Sequence, residues 1–200
     1  MVGLGNPSRQ YADTRHNVGF MVVQALRRRW QALDGRSAFS GVMCDVRVHR
    51  PQAGVRRVMT LEPQTYMNRS GLAVRQLADF YKALPEEMLI VLDDMALPVG
   101  RLRIRAEGSA GGHNGLADIL TAMGTQALPR LRIGIGSPQT PSQWKDFVLS
   151  TFSPDEAETI RQAVDTAAQA VEDWVFGGTR YVMDRYNRSA DEEPEQQQGL

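Results

Sequence analysis

Cysteine occurs once in the 200 residues, at Cys44, so the chain can form no internal disulfide. With three histidines beside that one cysteine, the stock of ligands is too small for a structural zinc site. No uninterrupted apolar run approaches the roughly 18 residues that a membrane-spanning helix needs. No basic segment leads into an apolar one at the start, so no signal peptide is expected. These absences point to a cytoplasmic protein. Three familiar motifs are also missing. There is no Gly-x-Ser-x-Gly elbow, which argues against a serine hydrolase. Gly3-x-Gly5 lacks a third glycine and is interrupted by Pro7, so a dinucleotide fingerprint fails. The run Gly111-Gly112-His113-Asn114-Gly115 lacks the Lys-Ser/Thr end of a nucleotide-binding loop.

Lysine is scarce too. Of 23 basic residues, 21 are arginine and only Lys82 and Lys145 are lysine. The net charge is zero, yet the acids are unevenly placed: Asp191, Glu192, Glu193 and Glu195 all follow Arg188. Residues 1–188 therefore carry 23 positive and 19 negative side chains, a net charge of +4. A planar guanidinium matches phosphate well. A hydrophobic content of 42% suffices for a core, and the length fits one domain over residues 1–188. The polar, acidic, Gln-rich stretch 189–200 has no apolar anchors and is expected to be a disordered tail.

The chain is organised around its first twenty residues. A short apolar strand, Met1 to Leu4, enters a turn at Gly5-Asn6-Pro7. A polar loop then ends in His16-Asn17, just before a helical apolar pattern over residues 18–31. Residues 34–41 read as a loop. Val42 to His49 and Val55 to Leu61 flank Pro51-Gln52-Ala53-Gly54 and read as a hairpin. After the polar stretch Glu62 to Gly71, a helix follows to about Lys82, with Leu72, Leu77, Phe80 and Tyr81 on a partly apolar face. Met88 to Leu92 is a fully apolar run, as expected of a buried strand, and it ends in Asp93-Asp94. Arg101 to Arg105 alternates, with three arginines on one face. The loop 108–115 opens a helix at Leu116 to Met123, and Leu131 to Ile135 is another strand. Residues 144–152 form a short helical or extended segment. Ser153-Pro154-Asp155-Glu156 carries helix-start chemistry. That helix runs to about Phe176, stops at Gly177-Gly178, and a last short helix spans Thr179 to Tyr186. This alternation predicts an α/β fold with a mixed sheet between helices.

Four polar groups fall at strand ends or helix starts: Asn6 with His16, Asn68, Asp93, and His113-Asn114. Such edges converge in an open α/β sheet, where ligands bind outside the carboxyl ends of the strands. Taken singly, each has a plain structural reading: a turn at Asn6, a helix cap at Asn17, a hydrogen-bonded surface histidine at His16. Together they suit water-dependent acyl transfer. Histidine is readily poised as a base, an aspartate can orient it, and amide side chains can hold a carbonyl and its oxyanion.

In order along the chain stand Val-Gly-Leu-Gly-Asn-Pro, Thr-Arg-His-Asn-Val-Gly, Tyr-Met-Asn-Arg-Ser-Gly and Gly-Gly-His-Asn-Gly-Leu. This set resembles bacterial peptidyl-tRNA hydrolase over about residues 1–187. Arg132 to Gly136 and Val148 to Ser150 fit the same pattern. The resemblance implies a single αβα domain with a mixed, twisted central sheet flanked by helices. It implies hydrolysis of the ester joining a peptide to the 3′ end of tRNA, with no cofactor and no metal. Carried over motif by motif, His16 is the base that activates water, and Asp93 holds it in basic form. Asn6 discriminates N-blocked from free aminoacyl groups. Asn68 and Asn114 bind the substrate backbone and carbonyl region. Tyr11, Tyr66 and Met67 line the pocket, with His113 and Asn17 as second-rank members. Arg103, Arg105 and Arg132 fall where tRNA phosphates are expected. The implied partner is peptidyl-tRNA, with no membrane, and the implied state is a monomer.

The chain departs from the pattern in places. Relatives usually have a few residues before the first motif, so a frayed first strand or an upstream start is expected. Ser8 replaces a frequent glycine. Leu92 and Ala96 stand where many relatives have His and Asp, so the local field near Asp93 is expected to differ. Two rival readings stand beside this one: a non-hydrolytic RNA-binding relative of the same fold, and a hydrolase of small esters or amides. A binder has no need of a base–carboxylate pair. The arginine-rich strand favours a tRNA substrate over a small one.

Overall fold

The computed structural model describes residues 1–187 apart from Leu33 and Gln139. The expected tail, 189–200, lies outside the described residues, as does Arg188. The strands are β1 Val2–Gly3, β2 Arg36–Ala38, β3 Gly41–Arg50, β4 Gly54–Pro63, β5 Ile90–Asp94, β6 Leu102–Arg105 and β7 Arg130–Gly134. The helices are α1 Val18–Arg29, α2 Ser70–Tyr81, α3 Asn114–Met123, α4 Trp144–Val148 and α5 Pro154–Tyr186.

One seven-stranded sheet has the order β2-β3-β4-β1-β5-β7-β6. The central strands β4, β1, β5 and β7 are parallel; β2, β3 and β6 are antiparallel to their neighbours. Alternation along β5 explains the layers. Leu89 and Val91 join α1 and α5 in one apolar cluster, with Val22, Leu26, Ala167 and Val171. Ile90 and Leu92 join α2 and α3 in the other, with Val74, Leu77, Leu116 and Ile119. A strand covered on both faces must be apolar throughout, as the 88–92 run is. The result is an αβα sandwich.

The first strand is not frayed. β1 lies between β4 and β5, and Val2 is buried. The backbone N–H of Val2 donates to Leu89 O at 2.8 Å and that of Leu4 to Val91 O at 2.9 Å. Helix α1 can approach β1 and β5 closely because residue 19 is glycine. A Cβ there would meet the backbone of Leu4 and Val91 at 2.5 Å. This close approach sets the 14–17 segment directly above the ends of the central strands.

Strand β2 falls inside the expected 34–41 loop. It is three residues long, mostly exposed and paired only with β3, so it carries no apolar alternation to read. Helix α3 starts two residues earlier than expected, because His113 caps it by accepting the Leu116 N–H at 3.1 Å. Helix α5 starts at the expected Ser153-Pro154, where the Ser153 N–H donates to Glu156 Oε2 at 2.8 Å in a capping box, and it has a non-helical Gly178, with φ 73°, where the sequence breaks it.

Candidate active site

The two acids that end β5 diverge. Asp94 turns toward the α2/α3 side. Its Oδ2 lies 3.1 Å from Arg132 Nε, and its Oδ1 accepts the Ala96 N–H at 2.9 Å. Asp93 is 3% exposed, and its Oδ1 receives two imidazoles: His16 Nδ1 at 2.8 Å and His113 Nε2 at 2.9 Å. The two rings stand 5.1 Å apart between centroids, tilted by 47°. Burial pushes the Asp93 carboxyl up. The adjoining His113 and His16 rings, through charge and hydrogen bonding, outweigh that and hold it below the usual carboxylate range.

These bonds assign the protons. An ionised carboxylate only accepts, so both ring nitrogens facing Asp93 carry hydrogen. His113 Nδ1 accepts the Leu116 N–H, which requires that ring to be protonated at Nε2. In neutral His16 the proton on Nδ1 leaves the Nε2 lone pair available. The acid thus holds both rings, with His16 Nε2 turned away from it and His113 Nδ1 engaged on α3.

Among the described residues, His16, Asp93 and His113 are also the set of acidic and histidine side chains that could hold a cation, with ligand atoms within 4.8 Å of one another. The bonding pattern fits a metal poorly. His113 Nε2 has no lone pair while Nδ1 caps α3, and both rings aim at a single carboxylate oxygen.

Asn6 is 8% exposed. Its Oδ1 accepts the Met67 N–H at 3.0 Å, which orients the amide and leaves Nδ2 to donate elsewhere. Asn17 stands at the N-cap position of α1 but caps nothing. Its Oδ1 accepts the Asn6 N–H at 2.8 Å, and its Nδ2 donates to Asn6 O at 3.0 Å. Asn17 is buried with both amide atoms engaged on the Asn6 backbone. Met67 is buried as well. Its side chain is 5% exposed within the α2/α3 cluster, and its contribution to the site is the backbone N–H.

Asn68 and Asn114 are exposed, on the Met67–Arg69 turn and at the start of α3, and these two elements pack together. Tyr66 is 60% exposed and Tyr11 half-buried. Arg103 and Arg105 are the exposed positions of the edge strand β6. They pair in register with Arg132 and Arg130 on β7, so four arginines share one face. They differ in freedom. Arg130 is 2% exposed and spends its guanidinium on the carbonyls of Gly108, Gln126 and Leu128, which ties down the glycine-rich loop. Arg132 has Asp94. Arg101, expected on the same face, donates to Asn187 O at 3.2 Å.

Sequence reasoning missed Arg15 and Glu156. Arg15 is 6% exposed. Its guanidinium binds Glu156 through two nitrogens, at 3.0 and 2.6 Å, and also donates to Ile135 O at 2.9 Å. The rings of Phe147 and Phe152 lie 4.5 and 4.7 Å from its Cζ. The helix start at Ser153–Glu156 was legible; that its glutamate also receives a residue from 141 positions away was not.

Comparison with known proteins agrees with this geometry. The family model described as peptidyl-tRNA hydrolase matches residues 1–195. The peptidyl-tRNA hydrolase of Rhodopirellula baltica is 43% identical over 190 residues, covering 95% of this chain and 97% of the relative. That of a Synechococcus strain is 46% identical over 188 residues, covering 94% and 82%. The crystal structure of peptidyl-tRNA hydrolase from Acinetobacter baumannii superposes with a TM-score of 0.86 at 36% identity, covering 93% of this chain and 92% of that one. With the ordered motifs, the αβα sheet and whole-chain matches in agreement, the chain belongs to the peptidyl-tRNA hydrolase family.

Proposed function

We propose that this protein hydrolyses the ester between the peptide and the 3′ end of tRNA in peptidyl-tRNA, with His16 as general base. The observation that carries this reading is the 2.8 Å bond between His16 Nδ1 and buried Asp93, which turns Nε2 away from the acid, so that in the neutral ring Nε2 holds the free lone pair. Nε2 takes a proton from water as the oxygen attacks the ester carbonyl. The imidazolium formed is stabilised by Asp93, whose charge is already in place. The amides of Asn68 and Asn114 hold the carbonyl region as negative charge develops on its oxygen. Asn6 Nδ2 donates to the peptide end. The proton then passes to the departing ribose oxygen. Water attacks directly and no peptidyl-enzyme forms.

Arg103 and Arg105 are the freest phosphate contacts, and Arg132 contributes after yielding part of its pairing with Asp94. Tyr11 and Tyr66 border the terminal nucleotide. We read the enzyme as a cytoplasmic monomer that needs no metal or cofactor. Among the described residues no helix is long and apolar enough to cross a membrane. A non-hydrolytic RNA binder would have no use for a histidine held in base form.

The test is turnover of N-acetyl-aminoacyl-tRNA. A positioned base contributes about 10²–10⁴-fold, so His16→Ala should lose at least the lower figure while tRNA affinity stays nearly constant. A trapped covalent peptidyl adduct, or full activity in His16→Ala, would overturn the mechanism.

A further inference from the structure

Three consecutive side chains at the entrance to α1 reach three different parts of the fold. Arg15 binds Glu156 at the start of α5, His16 binds Asp93 at the end of β5, and Asn17 binds the Asn6 backbone after β1. His16 therefore has an anchor on each side. The anchor on the Asn17 side is rigid, because it grips backbone atoms. The one on the Arg15 side is a buried charge, and its surroundings engage all three guanidinium nitrogens. Nη1 meets Ile135 O and Glu156 Oε1, Nη2 meets Glu156 Oε2, and Nε meets Ser150 Oγ at 3.3 Å. The backbone repeats the connection. Arg15 N–H donates to Ser150 O at 2.9 Å, and Thr14 forms an antiparallel bridge with Thr151.

Glu156 serves two ends. Its Oε2 accepts the Ser153 N–H at 2.8 Å, closing the capping box of α5, and also receives Arg15. The Arg15 hydrogen bonds, with smaller help from Ser153 and against partial burial, bring its carboxyl down to about 2. A buried ion pair is a poor source of net stability, because desolvation consumes much of its attraction. What a bidentate, ring-sandwiched guanidinium supplies is a fixed direction.

We propose that the Arg15–Glu156 pair is a latch that positions His16 for catalysis by tying the residue before it to the capped start of α5. Arg15 and Glu156 are positioning residues in this view; neither touches the reacting atoms. The inference rests on the reading of His16 as the base. A shift of about 1 Å in a catalytic group can cost roughly 10²-fold in rate. The latch therefore acts on kcat and on the His16–Asp93 bond, with little effect on substrate binding.

The experiment uses the full chain with N-acetyl-aminoacyl-tRNA. Arg15→Ala, Arg15→Lys and Glu156→Gln are compared for kcat and KM, with folding checked by thermal melting. Arg15→Ala should lose about 10²-fold in kcat with KM within about threefold. Millimolar guanidinium should recover part of that kcat by filling the space between Phe147 and Phe152, and should not accelerate the parent. The downfield His16 Nδ1 proton signal should broaden in the variant and sharpen on rescue. Arg15→Lys keeps the charge without the fork and should fall between parent and alanine; it decides the matter if the alanine variant does not fold. Parent-like kcat in both Arg15→Lys and Glu156→Gln, or a loss carried wholly by KM, overturns the latch. His16→Ala is run alongside: if it retains activity the base reading fails, whereas an inactive His16→Ala beside parent-like Arg15→Lys and Glu156→Gln sinks only the latch.

Discussion

Replacing Asp93 with asparagine distinguishes the charge of the acid from its geometry. Oδ1 of Asp93 accepts from His16 Nδ1 at 2.8 Å and from His113 Nε2 at 2.9 Å. An asparagine can offer its amide oxygen at that point or its NH2 group. The second choice would set N–H against the Nε2–H of His113. That ring cannot easily change tautomer, since its Nδ1 accepts the Leu116 N–H. The amide oxygen should therefore stay in place, and His16 should keep its proton on Nδ1. Only the charge is lost. Hydrogen bonds to charged groups contribute about 1.5–3 kcal/mol against about 0.5–1.5 for neutral ones. The deficit beneath the imidazolium is then on the order of 1–2.5 kcal/mol, or about 5- to 70-fold in rate. Where no such lock exists, the same change puts a triad histidine in the wrong tautomer and costs roughly 10⁴-fold. Adding His113→Ala should release the amide to turn. The double variant should approach the His16→Ala floor, although His113→Ala alone costs much less. Single-turnover hydrolysis of N-acetyl-aminoacyl-tRNA by the four proteins measures this cycle. A folded Asp93→Asn already at the floor would refute the lock. Equal effects of His113→Ala in the parent and in the Asp93→Asn variant would do the same.

Two further outcomes follow from the charges. Arg105→Ala should flatten the log–log salt dependence of tRNA affinity by about one unit or less, and Arg132→Ala should flatten it less, because Asp94 already holds Arg132; an unchanged slope in Arg105→Ala removes that residue from the binding face. The Glu156 carboxyl falls from an ordinary 4.5 to about 2, so its folded-state stabilisation is complete above pH about 4.5 and is lost as pH drops toward 2. The stability gap between the parent and Glu156→Gln in urea titrations should accordingly be constant from pH 7 to 5 and shrink at pH 3; a gap that widens on acidification would contradict the pairing.

Much of the fold was legible because its signals are local. The apolar run at 88–92 is a strand buried on both faces, and the Ser153-Pro154 start of α5 carries its own cap. The glycine pair at 177–178 breaks that helix where φ turns positive at Gly178. Short β2 was not legible, since an exposed three-residue edge strand is held by its partner's backbone and has no pattern of its own. Among the site residues, His16, Asp93 and Asn6 could be named from motif order, and the polar clusters could be placed at strand ends.

The sequence by itself determined which chemical groups are available and that they lie at element boundaries. It determined the alternation that sends Leu89 and Val91 to one layer and Ile90 and Leu92 to the other. Only the tertiary structure decided which group each one meets. Asp93 and Asp94 are adjacent, yet one receives two imidazoles, from the entrance of α1 and the cap of α3, and the other an arginine of β7. Asn17 and His113 carry donors and acceptors that a binding site could use, but burial commits them to Asn6 and Asp93. Arg15 was one arginine among 21 until folding brought Glu156 to it. Such pairings join residues far apart in the chain, and no local pattern encodes them; the packing of α1 and α5 on one side of the sheet does.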